Sequence, residues 1–174
     1  MKPVALPPDQ RIEPLAKSHP RRAFTSGHPL VDDWLHTKAL QNQEKRLSTT
    51  KVLIGPTKAI AGFYTLATGQ VDFGDLPASE VKKLPRRHLP VAVLAWLGVA
   101  SDRHGQGLGT TLLASALRDC HAAGRTFAFV AVLLDCVDDG AKAFYSRFDF
   151  AELPGHPYRL CLSAARLDAM MAGG

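Results

Sequence analysis

Residues 101–114 read S-D-R-H-G-Q-G-L-G-T-T-L-L-A, with glycine at positions 105, 107 and 109. An apolar run, A-V-L-A-W-L-G-V-A over residues 92–100, leads into this stretch. Beyond it Leu108, Leu112, Leu113, Ala116 and Leu117 recur at helical spacing, which predicts a helix over 107–123. Glycine weakens a chain unless the backbone must turn left-handed or come close to something. A strand, a glycine turn and a helix together offer a reason. The first helical turn leaves N–H groups without partners, and the helix dipole adds partial positive charge there. Glycines let a phosphate reach those donors. Residues 104–110 are therefore a candidate phosphate cradle. The spacing is not that of a dinucleotide fold: no G-x-G-x-x-G fits the phase, and no acidic residue follows at the expected distance. No Gly-Lys-Ser/Thr of a Walker loop is present either.

Working outward, L-P-V-A-V-L-A-W-L-G-V-A (89–100) reads as a strand buried on both faces. T-F-A-F-V-A-V-L-L (126–134) reads as a second buried strand. Asp139 to Arg147 is predicted as a short helix with Ala143 and Phe144 inward. F-A-E-L and Y-R-L-C-L, around P-G-H-P, give a last pair of strands. Upstream, K-V-L-I and I-A-G-F-Y-T-L-A-T flank G-P-T-K as a hairpin. Leu30, Trp34, Leu35 and Leu40 mark a helix starting at Ser26 or Pro29. L-P-A-S-E-V-K-K-L-P is a short helix between prolines. A central strand–helix–strand unit among many strands predicts a mixed α/β sheet.

The 174 residues are expected to form one domain, with 1–10 as an irregular lead-in and 163–174 as a C-terminal tail. An apolar fraction of 46% and a charged fraction of 21% are those of a soluble globular chain. No run has the length of a membrane span and no secretory signal opens the chain, so the expected location is the cytoplasm. Cys120, Cys136 and Cys161 lack metal-ligand spacing and read as reduced, buried thiols, with no metal site expected. The net charge of +5 favours an anionic partner, and Lys82, Lys83, Arg86 and Arg87 form the densest basic cluster. Trp34 and Trp96 read as packing residues, with the alternative that one of them lines a groove.

H-G-Q-G-L-G (104–109) resembles the Q/R-x-x-G-x-G/A motif of the GNAT N-acetyltransferases, with His104 where the family has Gln or Arg. D-D-G-A-K-A-F-Y-S-R-F-D-F (138–150) resembles that family's A-x-x-F-Y-x-x-x-G-F segment, with Asp149 in place of glycine. Asp enters the left-handed region more readily than most residues, so the turn is expected to survive. H-P-L-V-D-D-W-L, A-I-A-G-F-Y-T-L-A and L-P-V-A-V-L-A-W-L-G-V are similar to the toxin branch of the family found in bacterial toxin–antitoxin modules.

The resemblance implies a mixed, mostly antiparallel sheet of six to seven strands, with a splayed parallel central pair and flanking helices. It implies acetyl-CoA held by Leu97, Gly98, Val99, His104, Gly105, Gln106, Gly107, Leu108, Gly109, Thr110, Ala141 and Phe144, with Tyr145 as catalytic acid. It also implies an aminoacyl-tRNA substrate, for whose phosphates Lys82, Lys83, Arg86 and Arg87 are then candidate contacts, and a homodimer. The partner it implies is a ribbon-helix-helix antitoxin, with operator DNA reached through that antitoxin. An α-amino group with a pKa of about 7.7–8.0 needs no strong base. The leaving thiolate gains from a proton donor, and backbone N–H groups from Leu97 to Val99 suit the oxyanion. Two alternatives stay open: acetylation of a small amine or protein N-terminus, and a non-catalytic acyl-CoA-binding module.

Overall fold

The computed structural model describes residues 5–173. Residues 1–4 of the expected lead-in, and Gly174 of the tail, lie outside the described residues. Seven strands hydrogen-bond in the order β1-β2-β3-β4-β5-β7-β6. They are β1 (Arg11–Pro14), β2 (Thr49–Ile54), β3 (Ile60–Asp72), β4 (His88–Val99), β5 (Ala131–Asp135), β6 (Ala151–Leu153) and β7 (His156–Ser163). The helices are α1 (Pro29–Asp33), α2 (Ala39–Glu44), α3 (Ala78–Val81), α4 (Leu108–Gly124), α5 (Asp139–Ser146) and α6 (Ala164–Ala172). The pairs β1–β2, β2–β3, β5–β7 and β6–β7 are antiparallel. β4 and β5 are parallel and in register only from Val91–Ala131 to Val93–Leu133. This is the mixed sheet with a parallel central pair that the sequence led us to expect.

The chain divides into two compact units. The first runs to Ala67 and includes Leu94–Leu117; the second takes Thr68–Val93 and everything from Arg118 onward. In the first unit Leu15, Phe24, Val31, Leu35, Val52, Ile54, Ile60 and Phe63 form the core, with Trp34 and Trp96 packed on it. Leu112, Leu113 and Leu117 of α4 are fully buried, each worth about 1.5–3 kcal/mol of transfer free energy. Tyr64 of β3 meets α4 through a 3.1 Å hydrogen bond between its hydroxyl and Ser115 Oγ. In the second unit Val71, Leu76, Leu89, Val91, Ala131, Leu133 and Leu153 form the core.

The structure corrects several expectations. β4 is not buried on both faces: Val93, Ala95, Leu97 and Val99, alternate residues on one face, are only half-buried. The second buried strand begins at Ala131 rather than Thr126, because the chain is still leaving α4, and Phe127 stands 79% exposed. On α5 the inward residue is Tyr145; Ala143 is exposed and Phe144 half-buried. The first helix begins at Pro29, then passes through a π turn at Trp34–Lys38 before α2. β1 is a strand that the sequence reading does not anticipate. The tail, for which the sequence leaves a helical or a frayed reading open, is the helix α6, capped by Ser163 Oγ accepting from the Arg166 N–H at 3.3 Å.

Candidate active site

The glycine joint lies in the first unit and is built on backbone. Ala100 N donates to Ala61 O at 2.9 Å, and Ser101 N to Thr25 O at 2.8 Å, so the end of β4 is fixed from two directions. A short 3-10 turn, Ser101–Arg103, follows. His104 Nε2 donates to Val99 O at 3.0 Å, folding the ring back onto the strand end. Arg103 Nε donates to Gln106 Oε1 at 2.8 Å. Gly105 and Gly107 have φ of 74° and 78°, the left-handed region. A Cβ at either would meet no atom within 4 Å, so the space above both glycines is open. Thr111 N donates to Gly107 O at 3.1 Å. The amides of Leu108, Gly109 and Thr110 therefore precede the first helical bond and point out of the helix end. The first turn of α4 carries no acidic residue to compete with an anion. Gly98 is glycine for another reason: a Cβ there would come within 2.7 Å of Val31 and 2.9 Å of Phe63.

Tyr145 lies in the second unit on α5. Asp138 caps that helix, accepting from Ala141 N at 2.7 Å, so the Ala141 amide is already committed. Tyr145 is 7% exposed and packs edge-on against Phe144 and Phe150, with centroids 5.1 and 5.9 Å away. Burial, together with nearby Cys136, holds the phenol pKa well above its ordinary value. It keeps its proton at any physiological pH. Among the described residues its hydroxyl makes no hydrogen bond. Asp149 has a φ of 62°, the left-handed turn expected of it.

The three thiols are free and buried. Burial raises the pKa of Cys120 to about 12 and of Cys161 to about 11, and also raises that of Cys136. None is an activated nucleophile. Lys82, Lys83, Arg86 and Arg87 are exposed on the segment after α3, with the Arg86 guanidinium 5.9 Å from the centre of the Phe73 ring.

Two arrangements have no counterpart in the sequence reading. Arg159 forks onto Asp135 with bonds of 2.8 and 3.2 Å at the end of β5. Trp34 and Trp96 stack with centroids 5.4 Å apart and planes 16° from parallel. Neither arrangement carries a local sequence signal, because each joins residues far apart in the chain.

A family model for the acetyltransferase (GNAT) family matches residues 17–150. The chain belongs to this family. A tRNA-acetylating toxin of Mycobacterium tuberculosis is 36% identical over 140 residues, covering 80% of this chain and 83% of that protein. The solved structure of AtaT complexed with acetyl-methionyl-tRNAfMet superposes with a TM-score of 0.86 at 22% identity, covering 94% of this chain and 99% of that one. A mutant AtaT toxin bound to the C-terminus of the antitoxin AtaR and acetyl-CoA gives a TM-score of 0.80 at 20% identity, covering 94% and 98%. At these identities the two structures establish the shared fold.

The acyl donor of this acetyltransferase is acetyl-CoA, and the joint fits it. Open left-handed glycines and outward amides suit a diphosphate, and a Cβ at position 105 or 107 would fill the space a ligand needs. Among the described residues no cluster of His, Cys, Asp or Glu has the makings of a metal site, and no helix is long and apolar enough to cross a membrane.

Proposed function

We propose that the chain is a toxin that N-acetylates the α-amino group of an aminoacyl-tRNA and so arrests translation. The observation that carries this reading is the open glycine joint, in a chain 36% identical to a tRNA-acetylating toxin over most of its length. Bound acetyl-CoA supplies an activated acetyl thioester. The amides at the start of α4, with Gly105 and Gly107, hold its diphosphate. Backbone N–H groups of the Leu97–Val99 segment would offer hydrogen bonds to the negative charge that develops on the thioester carbonyl. His104 ties itself to the end of that strand through its Nε2. Tyr145 keeps a proton for the leaving sulfur, which its raised pKa makes available throughout the working range. Ala141 contributes through its methyl group, since its amide serves the cap, and Phe144 through its half-buried ring.

The acceptor is a neutral amine for much of its time near pH 7, so positioning supplies what a base would otherwise provide. Exposed Lys82, Lys83, Arg86 and Arg87 add sequence-independent affinity for the tRNA backbone. The toxin works as a homodimer and is neutralised by a ribbon-helix-helix antitoxin, through which it reaches operator DNA. Induction in cells, followed by mass analysis of the aminoacyl groups on recovered tRNA, tests the reading. Acetylated aminoacyl-tRNA with the wild type, and none with Tyr145→Phe, is the expected result. Unmodified tRNA, with turnover of polyamines or aminoglycosides in vitro, would replace it with a small-amine acetyltransferase.

A further inference from the structure

Trp34 and Trp96 are the chain's only tryptophans, and both stay half-buried. Trp34 opens the π turn between α1 and α2, an irregularity often found at functional positions. Its indole N–H donates to Thr65 Oγ1 at 3.0 Å, and Thr65 shares a 2.8 Å hydrogen bond with Thr50 Oγ1. Both threonines are fully buried. A hydroxyl pair inside a core is costly unless satisfied. Here the chain of bonds ends on the indole and fixes its ring against Trp96.

Trp96 immediately precedes Leu97–Val99. Side chains alternate along a strand, so Trp96 and Gly98 share a face, the one on which Gly98 lies against Val31 of α1 and against Phe63. Thr65, two residues beyond Phe63 on β3, is on that face too. Tyr64 points the other way, to Ser115 of α4. The helix that opens at the glycine joint and the tryptophan pair thus lie on opposite faces of the sheet. A donor held from the α4 side leaves the tryptophan side for the acceptor.

We propose that the Trp34–Trp96 stack is the wall against which the aminoacyl side chain packs, and that it limits the size of that side chain. This rests on the aminoacyl-tRNA reading above. With Trp34 locked by the Thr65–Thr50 relay and Trp96 stacked on it, the pair cannot retreat before a bulky group. Their apolar surface gives a charged side chain no partner for the water it loses.

The test is kcat/KM for tRNAs charged with glycine, methionine, phenylalanine and aspartate. It compares the wild type with Trp96→Ala, Trp96→Leu and Thr65→Val. The wild type favours small uncharged side chains. Trp96→Ala raises the phenylalanyl-to-glycyl ratio about tenfold or more, the scale on which apolar pockets discriminate. Trp96→Leu gives a smaller rise and decides the matter should the alanine variant fail to fold. Thr65→Val keeps the packing but frees the indole, and moves the ratio the same way by a lesser factor. In the wild type without acetyl-CoA, indole fluorescence changes on adding a glycyl-adenosine analogue. Turnover with an unchanged ratio in all three variants overturns the wall alone. Turnover of no aminoacyl-tRNA by the wild type overturns the functional reading and the wall with it.

Discussion

The glycine joint and the helix that carries Tyr145 solve opposite problems. The joint acts through main chain: two left-handed glycines, outward amides, and nothing within 4 Å of where a side chain would begin at Gly105 and Gly107. The α5 segment acts through a side chain: a phenol 7% exposed, wedged between aromatic rings, whose burial keeps it protonated. One region needs emptiness and the other needs enclosure. Substitutions at the two should therefore fail in different ways, the first in cofactor binding and the second in turnover.

The sharpest separation is expected from Tyr145→Phe. It keeps the ring and its packing but removes the proton, so kcat should fall by about 10²–10⁴, the usual range for a lost general acid. Affinity for acetyl-CoA should stay within about twofold in a titration, and growth arrest on induction should disappear. A variant that loses affinity and keeps turnover would break the comparison from this side. Gly107→Val should do the reverse. Its Cβ meets open space, so the fold survives with about 1–2 kcal/mol of left-handed strain. The dissociation constant for acetyl-CoA should rise about tenfold or more, as the side chain occupies the diphosphate space. Differential scanning calorimetry and titration on the same sample distinguish the two effects.

Charge reversal at Lys82, Lys83, Arg86 and Arg87 belongs to neither region. It should raise KM for tRNA and flatten its dependence on salt, with a slope change of roughly 0.7–0.9 for each phosphate no longer neutralised. Acetyl-CoA binding should not move.

A smaller effect tests enclosure by pH. Cys120 and Cys161 have folded pKa values of about 12 and about 11 against an ordinary 9.0, and the Tyr145 pKa is also raised. When the folded value is the higher one, the unfolded chain loses its protons first. The stabilising contribution is whole below the unfolded value and is lost as pH climbs through the folded one. Urea midpoints should therefore fall between about pH 9 and 11, and less steeply for Cys120→Ala. The smallest expected loss is the α5 cap: Asp138→Ala should cost about 1 kcal/mol, seen as a slightly lower melting temperature.

Much of this contrast is legible in the sequence. Three glycines between an apolar run and a helical stripe announce the joint, because left-handed backbone and a helix start both leave local signatures. Asp149 in a turn is legible for the same reason. The inward turn of α5 is not: Ala143, Phe144 and Tyr145 are adjacent and all partly apolar, and only packing against Phe150 decides which one is enclosed. β1 escapes because R-I-E-P is four residues long and draws its order from pairing with β2. T-F-A-F misleads because apolar residues in a loop look like the start of a strand until Phe127 is seen in solvent. The tie from His104 to Val99, and the indole–threonine relay, join side chains to partners that no spacing rule connects.

We propose that main-chain amides at the start of α4 grip the cofactor's diphosphate. Calorimetric titration of the folded protein with acetyl-CoA, and in parallel with S-acetylpantetheine, which lacks the diphosphate, tests it directly. We expect saturable heat with acetyl-CoA and binding at least a hundredfold weaker, by roughly 2.7 kcal/mol, for the truncated thioester. Equal affinity for the two, or no heat with acetyl-CoA, would contradict the account.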